Sequence, residues 1–487
     1  MSKAQTKAQT KARTASAMSA EDLAFTPMAE IGRMLRAGEI TSAGLTRMML
    51  ERIDRLNPQL NCFITVLHEQ AVKQAEGLDD LLAAGVDLGP LHGIPIAIKD
   101  NLATAGIRTT IGSRIFADWV PGKDAAVVRR IKEAGGVILG KLTMYEFAFG
   151  GWHDDYGPET RNPWDLTRAC GASSNGPSSA VAAGLAYASL GTDTGGSVRL
   201  PAAACGLVGL KPTYGVVSRA GLAPGGYSLD HIGPLARNVG DATIMFAAIA
   251  GPDRGDPAGS WQASPDYLGE LGRGIDGMTV GVPEAQASEL IDPEMAKACE
   301  DAVKVLEKAG ARVKTVKVPD HLLSRTLMWT IAASELAEAH RDYLRDRAGD
   351  YSPTVHGLIK QGAFIPATEY VRAQRVRQRI LSDYEEVMRD VDLIAMPTVP
   401  FAAWNIGDED IVVDGKTENL MGCLTRYCPP FNITGQPAVA LATGFDKAGL
   451  PLSFQIGGRW HEDARVMRAA AAYEARTDWH TKRPPVR

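Results

Sequence analysis

The chain has 487 residues, of which 45% are hydrophobic and 22% are charged, and this composition excludes collagen-like, coiled-coil and wholly disordered proteins. Lysine and arginine total 52 against 57 aspartate and glutamate, so the net charge of -5 offers no basic excess for binding nucleic acid or an anionic membrane. The six cysteines are scattered and form no Cys-x-x-Cys pair, which disfavours a disulfide framework and a zinc site and favours a reducing cytoplasm.

The N-terminal segment is a repeat of lysine, alanine, glutamine and threonine with little to bury, and we predict a disordered basic tail over residues 1–20. The segment lacks the apolar stretch of a secretory signal, and the most apolar run of the chain, residues 180–190, is too short to span a bilayer. Apolar residues at helical spacing predict two helices between Pro27 and Leu56, interrupted at Gly38. We expect a soluble, cytoplasmic protein.

Short β-branched runs alternate with helical patterns between residues 91 and 255, beginning with the run Ile94 to Ile98. A second stretch of this kind covers residues 278–318, and residues 327–390 are predominantly helical in pattern. Strand-like runs return in the last hundred residues. Strands that alternate with helices are typical of a sheet covered by helices on both faces.

The predicted fold class is therefore α/β, with one large mixed and twisted β-sheet covered by α-helices on both faces. We predict a single domain over residues 21–487. Its sheet core is expected at about 80–240 and 391–487, with a helical insertion at about 320–390.

The segment 171–215 is unusually rich in glycine and serine, yet it is too apolar for a flexible linker. Within it, the run Thr194 to Ser197 presents consecutive amide N–H groups around a serine hydroxyl, as an oxyanion beside a nucleophile requires. A phosphate-binding loop would have a similar composition. The nearest Walker-type match, residues 135–142, lacks the Mg²⁺-binding hydroxyl, which disfavours nucleotide binding.

A serine nucleophile needs a base, and the histidines do not provide an obvious one. The chain has no Gly-x-Ser-x-Gly elbow, and we interpret His92 and His231 as structural residues. Lys99 ends the apolar run Ile94 to Ile98, where burial would favour the neutral amine, which can accept a proton. From periodicity alone, a lysine that extends from a strand end into solvent remains the alternative.

Seven blocks carry a stronger signal: Gly171–Pro177, Gly191–Ala202 and Cys205–Thr213, supported by Gly89–Asn101, Gly140–Ala148, Arg161–Asp165 and Phe431–Ala438. Together they resemble the amidase-signature family over about residues 25–485. The resemblance implies an amidase-signature fold and an amidase that needs no metal or cofactor.

The resemblance also implies a role for individual residues. It makes Ser197 the nucleophile, Ser173 the bridging serine that follows a cis peptide bond, and Lys99 the base. The implied oxyanion-hole amides are those of Thr194, Gly195, Gly196 and Ser197. Asp193 and Arg199 resemble the residues that brace this loop.

Three residues depart from the family pattern. Ala172 and Asn175 stand where glycine is usual, and Pro177 stands where serine is usual. A cis Ala172–Ser173 bond would cost about 3 kcal/mol. Asparagine tolerates left-handed backbone and proline stiffens a loop, so we expect retained activity with altered loop geometry.

Clustered aromatic residues near these motifs suggest an apolar or aryl group on the substrate. The candidate substrate-binding residues are Met144, Tyr145, Phe147, Gly150, Trp152, Tyr227, Tyr427 and Phe431. We expect a stand-alone amidase that hydrolyses small to medium carboxamides, with anilides, esters and carbamates as further substrates.

The expected partner is a small-molecule amide, without nucleic acid or membrane, and a second copy of the chain in a homodimer is a further candidate. The first alternative is the glutaminase subunit of a tRNA-dependent amidotransferase, which resembles this chain through the same triad but passes ammonia to a partner. A non-catalytic binding protein is the third reading.

Overall fold

The centre of the fold is an 11-stranded sheet in a computed structural model that describes residues 18–223, 225–284 and 290–486. Two short two-stranded sheets accompany it. The strands, in chain order, are β1 Phe63–Val66, β2 Pro95–Lys99, β3 Val137–Leu142, β4 Arg161–Asn162, β5 Asp165–Ala169, β6 Ala188–Asp193, β7 Val208–Lys211, β8 His231–Ala236, β9 Thr279–Pro283, β10 Arg312–Val316, β11 Leu393–Pro397, β12 Asp410–Val413, β13 Lys416–Asn419, β14 Ala438–Phe445 and β15 Pro451–Gly458.

The large sheet is mixed and has the strand order β1-β3-β2-β6-β8-β7-β14-β15-β11-β9-β10. Strand β2 lies parallel to both β3 and β6, whereas β6 and β8 are antiparallel. Strands β14 and β15 from the end of the chain connect β7 to β11, so early and late segments share one sheet. The predicted α/β class with one large mixed sheet is confirmed.

The helices, in chain order, are α1 Ala20–Phe25, α2 Met28–Arg36, α3 Ser42–Leu60, α4 His68–Ala83, α5 Ala126–Glu133, α6 Asn175–Ala182, α7 Arg199–Cys205, α8 Val239–Ile249, α9 Tyr267–Glu270, α10 Pro293–Lys308, α11 His321–Ala339, α12 Arg341–Arg347, α13 Pro353–Ala363, α14 Ala367–Asp390, α15 Leu420–Leu424, α16 Pro429–Thr434 and α17 Asp463–Glu474. Short 3₁₀ turns lie at Arg114–Phe116, Glu146–Ala148, Asp154–Tyr156, Leu271–Arg273, Ala348–Asp350 and Trp479–Thr481.

The central strands are buried along their whole length. Every residue of β2, β3, β6 and β8 is buried, although successive side chains of a strand point to opposite faces. Both faces of this part of the sheet are therefore covered, as expected for continuous apolar runs such as Ile94 to Ile98.

Helices α11 to α14 lie between β10 and β11 in the chain, and α11 packs against α13, α14 and α16. In α14 the apolar residues Ala373, Ile380, Tyr384 and Met388 are buried. Most of the predicted N-terminal tail lies outside the described residues, and α1 begins at Ala20.

The early helices differ from the prediction at one end. The second of them runs to Leu60 rather than to Leu56, because the helix accommodates Pro58 in its last turn. Asn61 then ends it in a left-handed conformation. Across the described residues, helices fall short of the length and apolarity needed to cross a bilayer.

Candidate active site

Lys99, the last residue of β2, is completely buried and its amine contacts three hydroxyl groups. The Nζ atom lies 2.9 Å from Ser173 Oγ, 3.0 Å from Ser174 Oγ and 2.8 Å from Thr192 Oγ1. The parallel pairing of β2 with β6 brings Lys99 near Thr192, and the two serines precede and cap helix α6. No described carboxylate forms an ion pair with this amine, so its charged form would be poorly compensated.

Burial lowers the pKa of Lys99 to about 7 from the ordinary 10.5, and the charges of Asp230 and Asp193 oppose this shift. The N-terminus of α6, which carries a partial positive charge, also disfavours an ammonium group beside Ser174. A substantial fraction of Lys99 is therefore neutral at neutral pH.

A neutral amine donates two hydrogens and accepts one, so one of the three hydroxyls must donate to it. Ser174 donates its own proton to the carbonyl of Thr192 (3.2 Å), and Thr192 Oγ1 also accepts from Asn101 Nδ2 (3.1 Å). Ser173 Oγ has no other hydrogen bond among the described residues. Ser173 is thus the hydroxyl best placed to donate a proton to Lys99.

Ser197 is half-buried and lines the same cavity as Ser173. Residues 194–196, which precede Ser197, follow directly after the end of β6. Within the described ranges, the amides of Thr194, Gly195 and Ser197 have no protein acceptor, whereas the Gly196 amide donates to Asp193 Oδ1 (2.8 Å). Three of the four predicted oxyanion-hole amides are available to a ligand, and the fourth holds the loop.

Asp193 and Arg199 form a fully buried ion pair at 3.0 Å that fixes this loop. Asp193 also accepts from the amides of Gly196 and Val198 and from Asn432 Nδ2. Burial opposes its ionisation, but the positive charge and hydrogen bonds of Arg199 prevail and hold the pKa of Asp193 below its ordinary value. The carboxylate therefore stays charged and ties the loop to α16.

We expect the Asp193→Asn variant to lose about 3–5 kcal/mol of unfolding free energy, because it leaves Arg199 charged, buried and without its ionic partner. The measurement is urea unfolding near pH 7. The exposed pair Lys297–Asp301 supplies a control, since Asp301→Asn should change stability by less than about 0.5 kcal/mol. A loss below about 1 kcal/mol for Asp193→Asn would contradict this assignment.

Asp230 is a further buried carboxylate beside the site, and sequence reasoning missed it. Its Oδ1 accepts a 2.5 Å hydrogen bond from Thr194 Oγ1, and it reaches Thr194 because β8 pairs with β6 in a register that aligns His231 with Asp193. Burial raises the pKa of Asp230 to about 7. The interaction positions the first residue of the Ser197 loop.

The three residues that depart from the family pattern, Ala172, Asn175 and Pro177, have unstrained backbone conformations in the structure. The described residues contain no cis peptide bond, so the expected cis bond before Ser173 is not found. Asn175 does not use the left-handed backbone that asparagine tolerates; it begins helix α6 instead. Pro177 lies in the first turn of α6, where a missing N–H is tolerated.

The cavity in front of Ser173 and Ser197 has a volume of about 440 Å³. Of the predicted substrate-binding residues, Tyr145, Gly150 and Trp152 line it. The other four that lie nearby are buried instead in an apolar cluster with helices α11, α13 and α14: Met144, Phe147, Tyr427 and Phe431. Close packing against these helices keeps them away from the cavity surface.

Tyr227 lies elsewhere, at a second cavity of about 910 Å³ whose lining includes Asp230 and Glu335. Tyr227 is 60% exposed, and its ring packs over Arg219. Gly225 also lines this second cavity, and a Cβ there would lie 3.2 Å from Phe149 and 3.3 Å from Asp230. The structure thus does not bring Tyr227 into the Ser197 cavity.

Several residues of the site carried no separate signal in the sequence. Thr192, Ser174 and Asn101 lie inside the motif blocks, but their contacts with Lys99 or with each other depend on strand pairing. Glu159 lines the cavity and lies outside every motif. Within the part of the chain that the structure describes, no three or more His, Cys, Asp and Glu side chains are arranged to hold a metal ion.

The chain is similar in sequence and fold to several known proteins. The chain is 37% identical over 483 residues to the A subunit of glutamyl-tRNA(Gln) amidotransferase from Geobacter sp. (strain M21), covering 94% of this chain and 98% of the relative. The solved structure of the A subunit of glutamyl-tRNA(Gln) amidotransferase from Thermotoga maritima is similar with a TM-score of 0.78 and 35% identity, over 92% of this chain and 95% of that one.

A second solved structure is a chain of a vestigial protein complex that reveals the evolutionary origins of an s-triazine catabolic enzyme. It has a TM-score of 0.89 and 33% identity, and the match covers 95% of this chain and 100% of that one. Both structural matches extend over nearly the full length of the described fold.

These relatives correct two expectations. The prediction of a stand-alone amidase is wrong, because the curated relatives are subunits of an amidotransferase, which was our alternative. The prediction that a small molecule is the only partner is wrong for the same reason. The triad motifs are shared by both classes, so these motifs alone could not distinguish a subunit from an independent enzyme.

The family assignment agrees with the sequence motifs. The amidase model matches residues 44–467, a range that holds Lys99, Ser173 and Ser197. The protein is an enzyme of the hydrolase type that acts on amide C–N bonds. The chain belongs to the amidase family.

Proposed function

We propose that this chain is the amide-hydrolysing subunit of an amidotransferase-type assembly, in which it releases ammonia from a carboxamide donor. The observation that carries the proposal is the match to the amidotransferase A subunit over 94% of this chain and 98% of the relative. The match leaves little of either chain unaligned. The similarity to a chain of a vestigial protein complex supports a function within an assembly.

In the proposed mechanism Lys99 is the base, Ser173 the proton relay and Ser197 the nucleophile. Neutral Lys99 takes the proton of Ser173 while Ser173 takes the proton of Ser197. The Ser197 oxygen then attacks the amide carbonyl carbon and forms a tetrahedral intermediate. The 2.9 Å contact between Lys99 and Ser173 supports the first transfer.

Breaking the C–N bond requires a proton on the leaving nitrogen, because an amide anion leaves poorly. Ser173 delivers this proton and is itself reprotonated by Lys99. Ammonia departs and the acyl group stays as an ester on Ser197. Water then attacks the ester with Lys99 and Ser173 again moving the proton, and the products are one carboxylic acid and one ammonia for each amide and water consumed.

The developing negative charge is proposed to be stabilised by the amides of Thr194, Gly195 and Ser197. These amides have no acceptor within the described protein, and each well-placed donor is worth about 3–4 kcal/mol of transition-state stabilisation. Esters and carbamates present a carbonyl to the same nucleophile and are proposed as side substrates. A cytoplasmic location also remains a proposal.

The test isolates the tagged chain from its own cells at native expression level and compares it with the chain purified alone. We expect the native form to elute well above the 52.0 kDa of one chain, with other polypeptides in fixed stoichiometry. Ammonia release from primary carboxamides should require Ser197 and increase in the assembly. Full turnover by the isolated chain without any associated polypeptide, or unchanged turnover in Ser197→Ala, would overturn the proposal.

A further inference from the structure

The cavity in front of Ser197 is lined by aromatic and aliphatic side chains and by an unusual set of charges. Trp152, Trp329 and Trp404 contribute much of its apolar wall. The charged residues of the lining are Glu159, Asp408 and Glu409, and the lining holds no lysine, arginine or histidine of the described chain. The cavity is therefore negatively charged and lacks a cation to bind a carboxylate.

Glu159 and Asp408 are half-buried whereas Glu409 is exposed, and Asp408 accepts hydrogen bonds from the backbone and side-chain amides of Asn405. One oxygen of Glu159 accepts a hydrogen bond from the hydroxyl of Tyr145. No described lysine, arginine or histidine forms an ion pair with Glu159, and its second oxygen has no hydrogen bond to the described protein. Burial raises the pKa of Glu159 above its ordinary value, and the hydrogen bond from Tyr145 opposes this shift. No described cation is present to offset the effect of burial.

The surroundings of Glu159 suit an ammonium group. Tyr145 and Trp152 pack edge to face with ring centroids 6.3 Å apart, and both rings line the cavity. Aromatic faces attract cations, and a half-buried carboxylate beside them adds a charge-assisted hydrogen bond. The nearby cation Arg325 donates to the carbonyl of Gly422 and does not belong to the lining, so it does not change the sign of the cavity charge.

We infer that the acyl part of the amide substrate carries an ammonium group and no carboxylate, and that Glu159 binds this ammonium group beside Tyr145 and Trp152. The inference rests on the proposed function, because it names the substrate class of the same Ser197 site. A carboxylate on the acyl part would enter a cavity whose described lining holds three carboxylates and no cation, which opposes its binding.

The test uses four carboxamides of one chain length at pH 8, where the ammonium group is charged. They are 4-aminobutanamide, which carries a positive charge; pentanamide, which is neutral; glutaramate, which carries a negative charge; and glutamine, which is 4-aminobutanamide with an added carboxylate. We expect kcat/KM for ammonia release to be highest for 4-aminobutanamide, at least about 10-fold above glutaramate and above glutamine.

Two variants assign the preference to one residue. Glu159→Gln keeps an acceptor for Tyr145 but removes the charge, so kcat/KM for 4-aminobutanamide should fall about 10-fold while that for pentanamide stays within about 2-fold. Glu338→Gln is the control, because Glu338 is a carboxylate of the second cavity and should leave the ranking of the four amides unchanged.

Equal or higher kcat/KM for glutamine or glutaramate would overturn the inference while leaving the proposed function intact, provided that Ser197→Ala abolishes the release. A cationic preference that persists in Glu159→Gln would also overturn it. Absence of ammonia release from all four amides, by the isolated chain and by the native assembly, would count against the proposed function and remove the inference with it.

Discussion

The Lys99→Met variant is expected to lose about 10³-fold or more of kcat/KM while it remains folded. Methionine fills the buried space but accepts no proton, so Ser173 and Ser197 keep their hydrogens in the ground state. Stability should not fall, because the amine contacts only neutral hydroxyls and burial lowers its pKa to about 7 from 10.5. Lys99 therefore binds its proton more weakly in the folded than in the unfolded protein, and below pH 10.5 this difference lowers the free energy of unfolding. Replacing Lys99 by methionine removes that destabilising contribution.

Lys141 provides the matched control, since it is also a completely buried lysine at the end of a central strand. It pairs with Asp100 at 3.3 Å, so Lys141→Met leaves a buried carboxylate without its cation and should cost about 3–5 kcal/mol of unfolding free energy. Steady-state kinetics and urea unfolding of both variants check the contrast. Retention of more than about one tenth of wild-type kcat/KM by Lys99→Met would remove Lys99 from the mechanism.

Ser173→Ala should lower kcat/KM by about 10²–10⁴-fold, whereas Ser174→Ala should lower it by less than about 10-fold. Both hydroxyls contact Lys99, at 2.9 Å and 3.0 Å, but only that of Ser174 donates its proton elsewhere, to the carbonyl of Thr192. Ser173 also faces the cavity, whereas Ser174 does not line it. The relay therefore depends on Ser173.

The pair of adjacent alanine variants separates a proton relay from simple support of the lysine. Loss of either hydroxyl removes one contact to Nζ, so equal losses in the two variants would indicate that both serines merely position Lys99. Single-turnover measurements of acyl-enzyme formation extend the comparison, because Ser173→Ala should slow acylation and deacylation together. A larger loss in Ser174→Ala than in Ser173→Ala would reverse the assignment.

The sequence predicted the sheet because continuous apolar runs are a local pattern, whereas for Lys99 the pattern favoured burial without excluding an extension into solvent. The apolar run Ile94 to Ile98 can only belong to a strand covered on both faces, and the structure places β2 at Pro95–Lys99 with every residue buried. The structure decides between the two alternatives for the lysine that ends this strand, since Lys99 is completely buried. Motif spacing likewise identified the glycine-rich run before Ser197 as a loop with available amides.

Residues that reach the site through strand pairing could not be predicted in the same way. Asp230 lies near Thr194 only because β8 aligns with β6, and nothing in the residues around Asp230 encodes that register. Gly196 shows that motif spacing does not predict which amides of a loop remain free of protein acceptors. Its amide is part of the predicted oxyanion set, yet the folded loop directs it to Asp193, which only the three-dimensional arrangement reveals.

Aromatic residues gave the least reliable prediction of cavity walls. Phe147 and Phe431 lie close to signature residues in the sequence but are buried in the apolar cluster, whereas Tyr145 and Trp152 face the cavity. Aromatic side chains stabilise a core and a binding wall by the same burial, so residue type does not separate the two roles. The prediction of a stand-alone amidase over an amidotransferase subunit relied on catalytic motifs. Those motifs do not describe the surfaces that contact partner proteins.

The most direct test of the account is an NMR titration of the Lys99 ε-carbon in protein labelled with ¹³C-lysine, with the signal assigned by its loss in Lys99→Met. Burial among hydroxyl groups predicts a midpoint near pH 7, which should coincide with the acidic limb of kcat/KM because the neutral amine is the active form. A midpoint near the ordinary 10.5, with activity already complete at pH 6, would contradict the claim that a neutral buried lysine drives this site.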